Sequence, residues 1–312
     1  MPFIGMLSKI LVAAMAAEAL IYAAAAWLLS FLGLISPPIT LAVCAVVALG
    51  IRANVTRKMF GVSEHFRYDR APKDELDAAG WRRLALAEYG AVLRMFCCYH
   101  PFEFLINQRG PAKPDSSMPI LCVHGYVCNG AYWIPLKPAL RAAGFHNLYT
   151  INMDPTFGSI EDFARQVAAR VDAIRQETGA EKVALIGHSM GGLVSRCYVQ
   201  HHGGDAHVSR IITLGTPHHG TVTAKSGPGE DARQMIPGNA WLTALNAEEP
   251  KPVPITSIWS THDNIIAPQD SSVLPHADNL RLKGIGHLEL SASVPVQQAV
   301  VAALRYRPES PR

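Results

Sequence analysis

The chain has 312 residues, enough for one large α/β domain with something attached or for two modest domains. Its 28 Lys and Arg against 25 Asp and Glu leave a net charge of +3 without long like-charge runs, which excludes the electrostatic footprint of a nucleic-acid-binding protein. Only 17% of the residues are charged and 49% are apolar, against roughly 25% charged in an ordinary soluble domain, so part of the chain is unusually apolar.

That part is the N-terminus. Ile10 to Ile35 carries one charge, Glu18, and exceeds the about 20 apolar residues that cross a bilayer. Pro37-Pro38 then breaks the chain, and a second run, Ile39 to Ile51, precedes Arg52, Arg57 and Lys58. Thirteen residues are short for a crossing unless the run borrows from Leu34 onward or extends past Arg52. Residues 1–60 are therefore expected to form a membrane hairpin, or one span plus a re-entrant or interfacial piece. A cleaved signal peptide has a shorter apolar core, and a buried core helix is the soluble alternative for the Ala-rich stretch Ala23 to Ala26. With Lys9 at one end and the basic cluster at the other, two spans with both ends cytoplasmic satisfy the positive-inside tendency; a single span would put the downstream domain outside. Glu18, a carboxylate within the apolar run, is expected to have a helix partner or a function.

Residues 61–116 read as a helical connector and linker. Trp81, Leu84, Tyr89, Val92 and Phe96 give Asp74 to Phe96 a helical spacing, and Arg109 to Ser117 is rich in turn formers. From residue 117 to 312, short β-branched runs alternate with helical ones. Strands are expected at Ile120–Val123, Leu148–Asn152, Lys182–Gly187, Ser209–Leu214, Ile255–Trp259 and Leu280–Leu282. A helix is expected from Ser159 to Thr178, with a capping-box-like start and Gly179 at its end. Alternation of this kind predicts a mostly parallel sheet with helices on both faces. The six cysteines, Cys44, Cys97, Cys98, Cys122, Cys128 and Cys197, show no CxxC or zinc-type spacing, so neither a metal site nor a disulfide framework is expected.

Between the third strand and the following helix stands Gly187-His188-Ser189-Met190-Gly191-Gly192, a G-x-S-x-G turn that lifts a serine hydroxyl clear at the head of a helix. A nucleophilic serine needs a base, and a carboxylate to hold that base's tautomer. In this fold the chain order is serine, acid, histidine. Asp263 directly follows the Ile255–Trp259 strand, and His287 lies in the loop after the last one, whereas Asp270 and Asp278 lie in loop sequence. Of 13 histidines, His188, His218, His219, His262 and His276 are rivals, but only His287 follows the last strand; His188 is expected to pack beside the serine. Ser189 is thus the expected nucleophile, Asp263 the acid and His287 the base. The backbone N–H groups of Met190 and Tyr126 are the expected oxyanion donors, with His124 supporting the Tyr126 loop.

Residues from about 119 onward resemble the bacterial lipase and esterase branch of the α/β-hydrolase family. The matching pieces are Val123-His124-Gly125-Tyr126, the Gly187-to-Gly192 turn, Gly215-Thr216-Pro217-His218-His219-Gly220, His262-Asp263 and Gly286-His287. The resemblance implies an α/β-hydrolase fold with an eight-stranded core. It also implies hydrolysis of acyl esters through an acyl-enzyme, a lipid or acyl-ester substrate and no organic cofactor; a place at a bacterial inner membrane, with the catalytic domain in the cytoplasm, is expected from the N-terminal apolar runs instead. No cysteine follows Cys197, so the disulfide common near the histidine of secreted lipases is missing, and no aspartate pair matches their calcium site. Residues 220–254 read either as a lid over an acyl pocket or as an insertion that completes the core. A soluble-substrate esterase or thioesterase, and a non-catalytic membrane interaction protein on a hydrolase scaffold, are the alternatives.

Overall fold

Two long apolar helices open the computed structural model, which describes residues 4–111 and 113–306. Residues 1–3 of the expected hairpin, Ala112 of the linker and residues 307–312 of the expected catalytic domain lie outside the described residues. Helix α1 spans Met6–Phe31 and α2 spans Pro37–His65, both long and apolar enough to cross a membrane. The short second run thus becomes a 29-residue helix. Pro37 and Pro38 begin it instead of breaking it: Ser36 is the N-cap and the prolines occupy the first turn, where a missing N–H costs no hydrogen bond. Glu18 has its partner in the facing helix, since Arg52 Nη2 meets its Oε2 at 2.6 Å and Tyr22 donates to its Oε1. Outward-facing side chains of both helices stay bare, with Trp27 67%, Phe31 74% and Val46 70% exposed.

Both ends of this hairpin rest on the rest of the chain. At the start of α1, Ser8 donates to the His100 carbonyl at 2.8 Å and accepts from Asn129, while the Met6 N–H reaches Asp154 Oδ1 at 3.2 Å. Near the end of α2, Ser63 accepts from Gln269, and Phe60 packs edge-on against Trp81. Trp81 belongs to α3, Ala78–Leu93, which starts later than the spacing predicts because Asp77 takes the cap, accepting from the Gly80 N–H at 2.7 Å. A π-helical turn, Arg94–Tyr99, and α4, Glu103–Ile106, complete the connector.

Among the described residues the remainder is a six-stranded sheet, parallel throughout, where the resemblance implied eight strands. Its strands are β1 Ile120–Val123, β2 Leu148–Thr150, β3 Val183–His188, β4 Val208–Leu214, β5 Ile255–Ser260 and β6 Asp278–Leu282, in the order β2-β1-β3-β4-β5-β6. Alternation along each strand divides the core. Leu121, Val123, Leu185 and Ile211 pack with α6, Ile160–Thr178, and α7, Met190–His201. Ile120, Cys122, Ile186 and Ile258 pack with α5, Lys137–Ala142, and α10, Val294–Arg305. Helix α6 has its expected ends: Ser159 accepts from the Asp162 N–H at 3.0 Å, and Gly179 closes it at φ 70°. Residues 220–254 hold α8, Glu230–Gln234, and α9, Ala240–Ala247, whose region contributes Met235 and Leu242 to the α6–α7 core.

Candidate active site

The carboxyl ends of β3, β4 and β5 meet at one sheet edge, where parallel α/β sheets place their sites. Ser189 joins β3 to α7 at φ 54°, ψ −125°, a strained conformation for a residue with a side chain. Its neighbours must be small. A Cβ on Gly187 would lie 2.6 Å from the Gly192 nitrogen, one on Gly191 2.2 Å from the Val123 carbonyl, and one on Gly192 2.1 Å from Thr216 Oγ1. Two hydrogen bonds pin the turn: the Ser189 N–H donates to the Leu214 carbonyl at 2.9 Å, and Thr216 Oγ1 donates to the Ser189 carbonyl at 2.9 Å.

Asp263 and His287 arrive at the same edge from the loops after β5 and β6. His287 Nδ1 lies 2.7 Å from Asp263 Oδ2, and both side chains are buried. The other oxygen, Oδ1, accepts the N–H groups of Ile265 and Ile266 at 2.8 Å each, which fixes the carboxylate plane. Asn264 Oδ1 accepts the His287 N–H at 2.9 Å. Among the described residues the Ser189 hydroxyl makes no hydrogen bond, a looseness common before substrate closes a site. Asp270 and Asp278 are exposed and away from His287, Asp278 being the first residue of β6.

His188 lies beside the serine, its ring stacked on Tyr132 at 3.9 Å and its Nε2 3.2 Å from the His287 carbonyl. Burial, and then the neighbouring His287, push it well below the usual imidazole range, so it stays neutral. His124 supports its loop from both ring nitrogens: Nδ1 faces the Gly125 carbonyl at 2.9 Å and Nε2 accepts the Met153 N–H at 3.1 Å. That pattern needs the neutral ring, and burial lowers the His124 pKa to about 4. The loop presses on the elbow, because a Cβ on Gly125 would lie 2.9 Å from Ser189 Cβ. The Tyr126 N–H has no partner among the described residues and Met190 is the first residue of α7, so both amides are available as donors. The Tyr126 hydroxyl donates to the Pro228 carbonyl at 2.8 Å, tying this loop to the 220–254 insertion.

Asn264 and Thr216 carry no local signal that marks them in the sequence. Thr216 lies in the Gly215–Gly220 piece and Asn264 is next to Asp263, but their roles depend on partners 27 and 23 residues away. One group of metal-ligating type forms elsewhere: atoms of Glu161, Cys197 and His201 lie within 4.8 Å of one another. Both ring nitrogens of His201 already face carboxylates, Glu161 and Glu248, at 2.8 Å, and Trp241 donates to Glu161, so the group reads as an ion-pair network.

Residues 118–262 match the α/β hydrolase fold family. A triacylglycerol lipase of Pseudarthrobacter phenanthrenivorans is 34% identical over 114 residues, which cover 34% of this chain and 35% of the relative. One of Burkholderia plantarii is 34% identical over the same length and is covered to 31%. The chain thus spans about a third of the length of these curated relatives. Among solved structures, the mature form of a Bacillus licheniformis lipase is similar at a TM-score of 0.54 and 20% identity, covering 61% of this chain and 95% of that one. Aspergillus fumigatus lipase B is similar at 0.55 and 19% identity, covering 62% and 55%. At these identities the structures speak for the fold.

Proposed function

We propose that this chain is an α/β hydrolase, and specifically a membrane-anchored serine carboxylic ester hydrolase that cleaves acyl esters of lipids through an acyl-enzyme on Ser189. The observation that carries the reading is the meeting, at one sheet edge, of a strained elbow serine with a buried His287–Asp263 pair 2.7 Å apart. His287 takes the Ser189 proton as the hydroxyl attacks the ester carbonyl, and Asp263 holds the ring's tautomer and stabilises the imidazolium. The amides of Met190 and Tyr126 hold the oxyanion, with the start of α7 adding its dipole. The imidazolium then gives its proton to the departing alcohol, and water, activated by the same ring, releases the acid. Ser189→Ala is expected to abolish turnover of a p-nitrophenyl ester and labelling by a fluorophosphonate probe; a variant that keeps full turnover overturns the reading.

Substrate class is read from the hairpin. Its two ends rest on the loops after β1, β2 and β5, the edge that carries Ser189, so the hairpin's bare apolar length leads away from the mouth of the site. This favours long acyl esters presented by a bilayer, glycerides or phospholipids. The test is a chain-length series with detergent and without: activity confined to short soluble esters would assign a soluble-substrate esterase instead.

Because both hairpin ends hold the same domain, α1 and α2 enter any membrane from the same side as the site. Residues 19–51 carry no charge, while Lys9, Arg52, Arg57 and Lys58 lie toward that side. The positive-inside tendency then puts the catalytic domain in the cytoplasm. A green fluorescent protein fused after Arg312 is expected to fluoresce, and an alkaline phosphatase fused there to be inactive; the converse pair places the domain outside.

A further inference from the structure

The loop that carries His287 is held from two directions, one of them α3, which precedes the first strand of the sheet. From within the hydrolase domain come Asp263, Asn264 and His188. From α3 comes Glu88, a carboxylate with no exposed surface. Its Oε1 accepts the Leu288 N–H at 3.0 Å and its Oε2 accepts the Glu289 N–H at 3.0 Å, the two amides directly after the histidine. On the other side of the histidine, Gly286 lies so close that a Cβ there would stand 2.4 Å from Glu88 Oε2. No cation pairs with Glu88 among the described residues. Burial raises its pKa to about 7, opposed by the Leu288 and Glu289 amides and by His287, with Asp263 adding a small push upward.

A buried carboxylate of this kind is costly unless its acceptors are used, and here they are used on one turn of backbone. The turn runs on into a 3-10 segment, Glu289–Ser291, with Leu290 buried in the α5–α10 core. The bracket is therefore anchored at both ends: by α3 on one side, and by the sheet's own core on the other. Helix α3 is in turn packed on α2 through Phe60 and Trp81, and the Tyr89 hydroxyl, one residue from Glu88, donates to the Leu49 carbonyl at 2.9 Å.

We infer that Glu88 is a positioning residue for His287. By gripping the two amides that follow the histidine it fixes the loop, so the connector that leads from the apolar hairpin is a structural part of the active site. This rests on the reading of His287 as base. It goes beyond that reading in assigning a role to a residue that the family match does not reach.

The test uses the full chain in detergent, with active sites counted by end-point fluorophosphonate labelling so that turnover is expressed per intact site. Glu88→Gln keeps one carbonyl acceptor and Glu88→Ala keeps none. A histidine misplaced by about 1 Å costs on the order of 100-fold. The expected result is a graded loss of kcat per site, about tenfold for Glu88→Gln and about 100-fold for Glu88→Ala, with KM within about twofold of the parent. Unchanged kcat per site in both variants, with only the number of intact sites reduced, means that Glu88 supports folding alone and overturns the proposal; so does a loss that falls on KM. If Glu88→Ala does not fold, Glu88→Gln decides by the same criteria. His287→Ala separates the two levels. Retained turnover in that variant refutes the base itself, whereas its loss alongside unaffected Glu88 variants refutes only the positioning role.

Discussion

Asp263 divides its two oxygens between different tasks: Oδ2 meets His287 Nδ1 at 2.7 Å, while Oδ1 accepts the Ile265 and Ile266 amides at 2.8 Å. An amide in place of the carboxylate keeps the shape but presents an N–H to one of these partners. Asp263→Asn is expected to lower kcat by about 10⁴-fold with little change in KM, because the imidazole is then held in the wrong tautomer. Steady-state kinetics on a p-nitrophenyl ester checks this, and a loss below about tenfold would remove Asp263 from the proposed triad.

Gly192 faces Thr216, whose hydroxyl holds the Ser189 carbonyl. Gly192→Ala drives a methyl to 2.1 Å from that hydroxyl, and something must shift. Overpacking of this sort costs about 1–3 kcal/mol, and the displacement falls on the elbow itself. The variant is expected to melt at a lower temperature and to lose at least about tenfold in kcat. Calorimetry paired with kinetics tests it; a melting temperature and rate equal to the parent's would mean the elbow has slack that these distances deny.

The Glu18–Arg52 pair lies between two helices whose outer faces are apolar, with Arg52 also donating to the Ala48 carbonyl at 3.1 Å. Removing one partner strands the other charge beside lipid, whereas removing both leaves an apolar contact. Arg52→Leu and Glu18→Leu are each expected to lower the melting temperature in detergent micelles, and the double variant to recover most of that loss. Singles without effect would show that the hairpin is held by its apolar contacts alone.

His100 and His124 are buried, and burial lowers each pKa from 6.5 to about 4. Between those values the unfolded chain binds a proton that the folded chain refuses. Stability is therefore complete above pH 6.5 and falls as the pH drops toward 4, by up to about 3 kcal/mol per residue. Glu88 has the opposite sign: with a folded pKa raised to about 7, it adds stability as the pH falls from 7 to 4.5 and partly offsets the histidines. The net expectation is a lower melting temperature at pH 5 than at pH 7, with a shallower slope in His124→Gln. Identical slopes in parent and variant would mean that His124 carries no share of the acid sensitivity.

The inner strands are legible in the sequence as short apolar runs, and β1 starts and stops where its residues indicate; the edge strand β6 is half polar and begins at Asp278, two residues before its apolar residues and at a position that reads as loop. Helix α6 is legible because Ser159 and Gly179 mark its ends chemically. The second apolar helix is longer than its apolar run indicates. Pro37-Pro38 reads as a break in a sequence, but in the first turn of a helix, where no N–H is needed, the same pair makes a beginning. The six strands among the described residues are the six that the residues themselves indicate; the count of eight came from the resemblance alone.

At the candidate site, the sequence by itself carries what local chemistry dictates. A strained turn that tolerates only small neighbours marks Ser189 as the proposed nucleophile, and chain order with strand ends marks Asp263 and His287 as its proposed partners. What only the tertiary structure decided is what depends on distant segments meeting: Thr216 on the elbow, Asn264 on His287, Arg52 on Glu18, and Glu88 on the histidine loop 200 residues away. A buried hydrogen bond requires complementary groups at one point in space, and neither partner's neighbours along the chain carry any mark of the other.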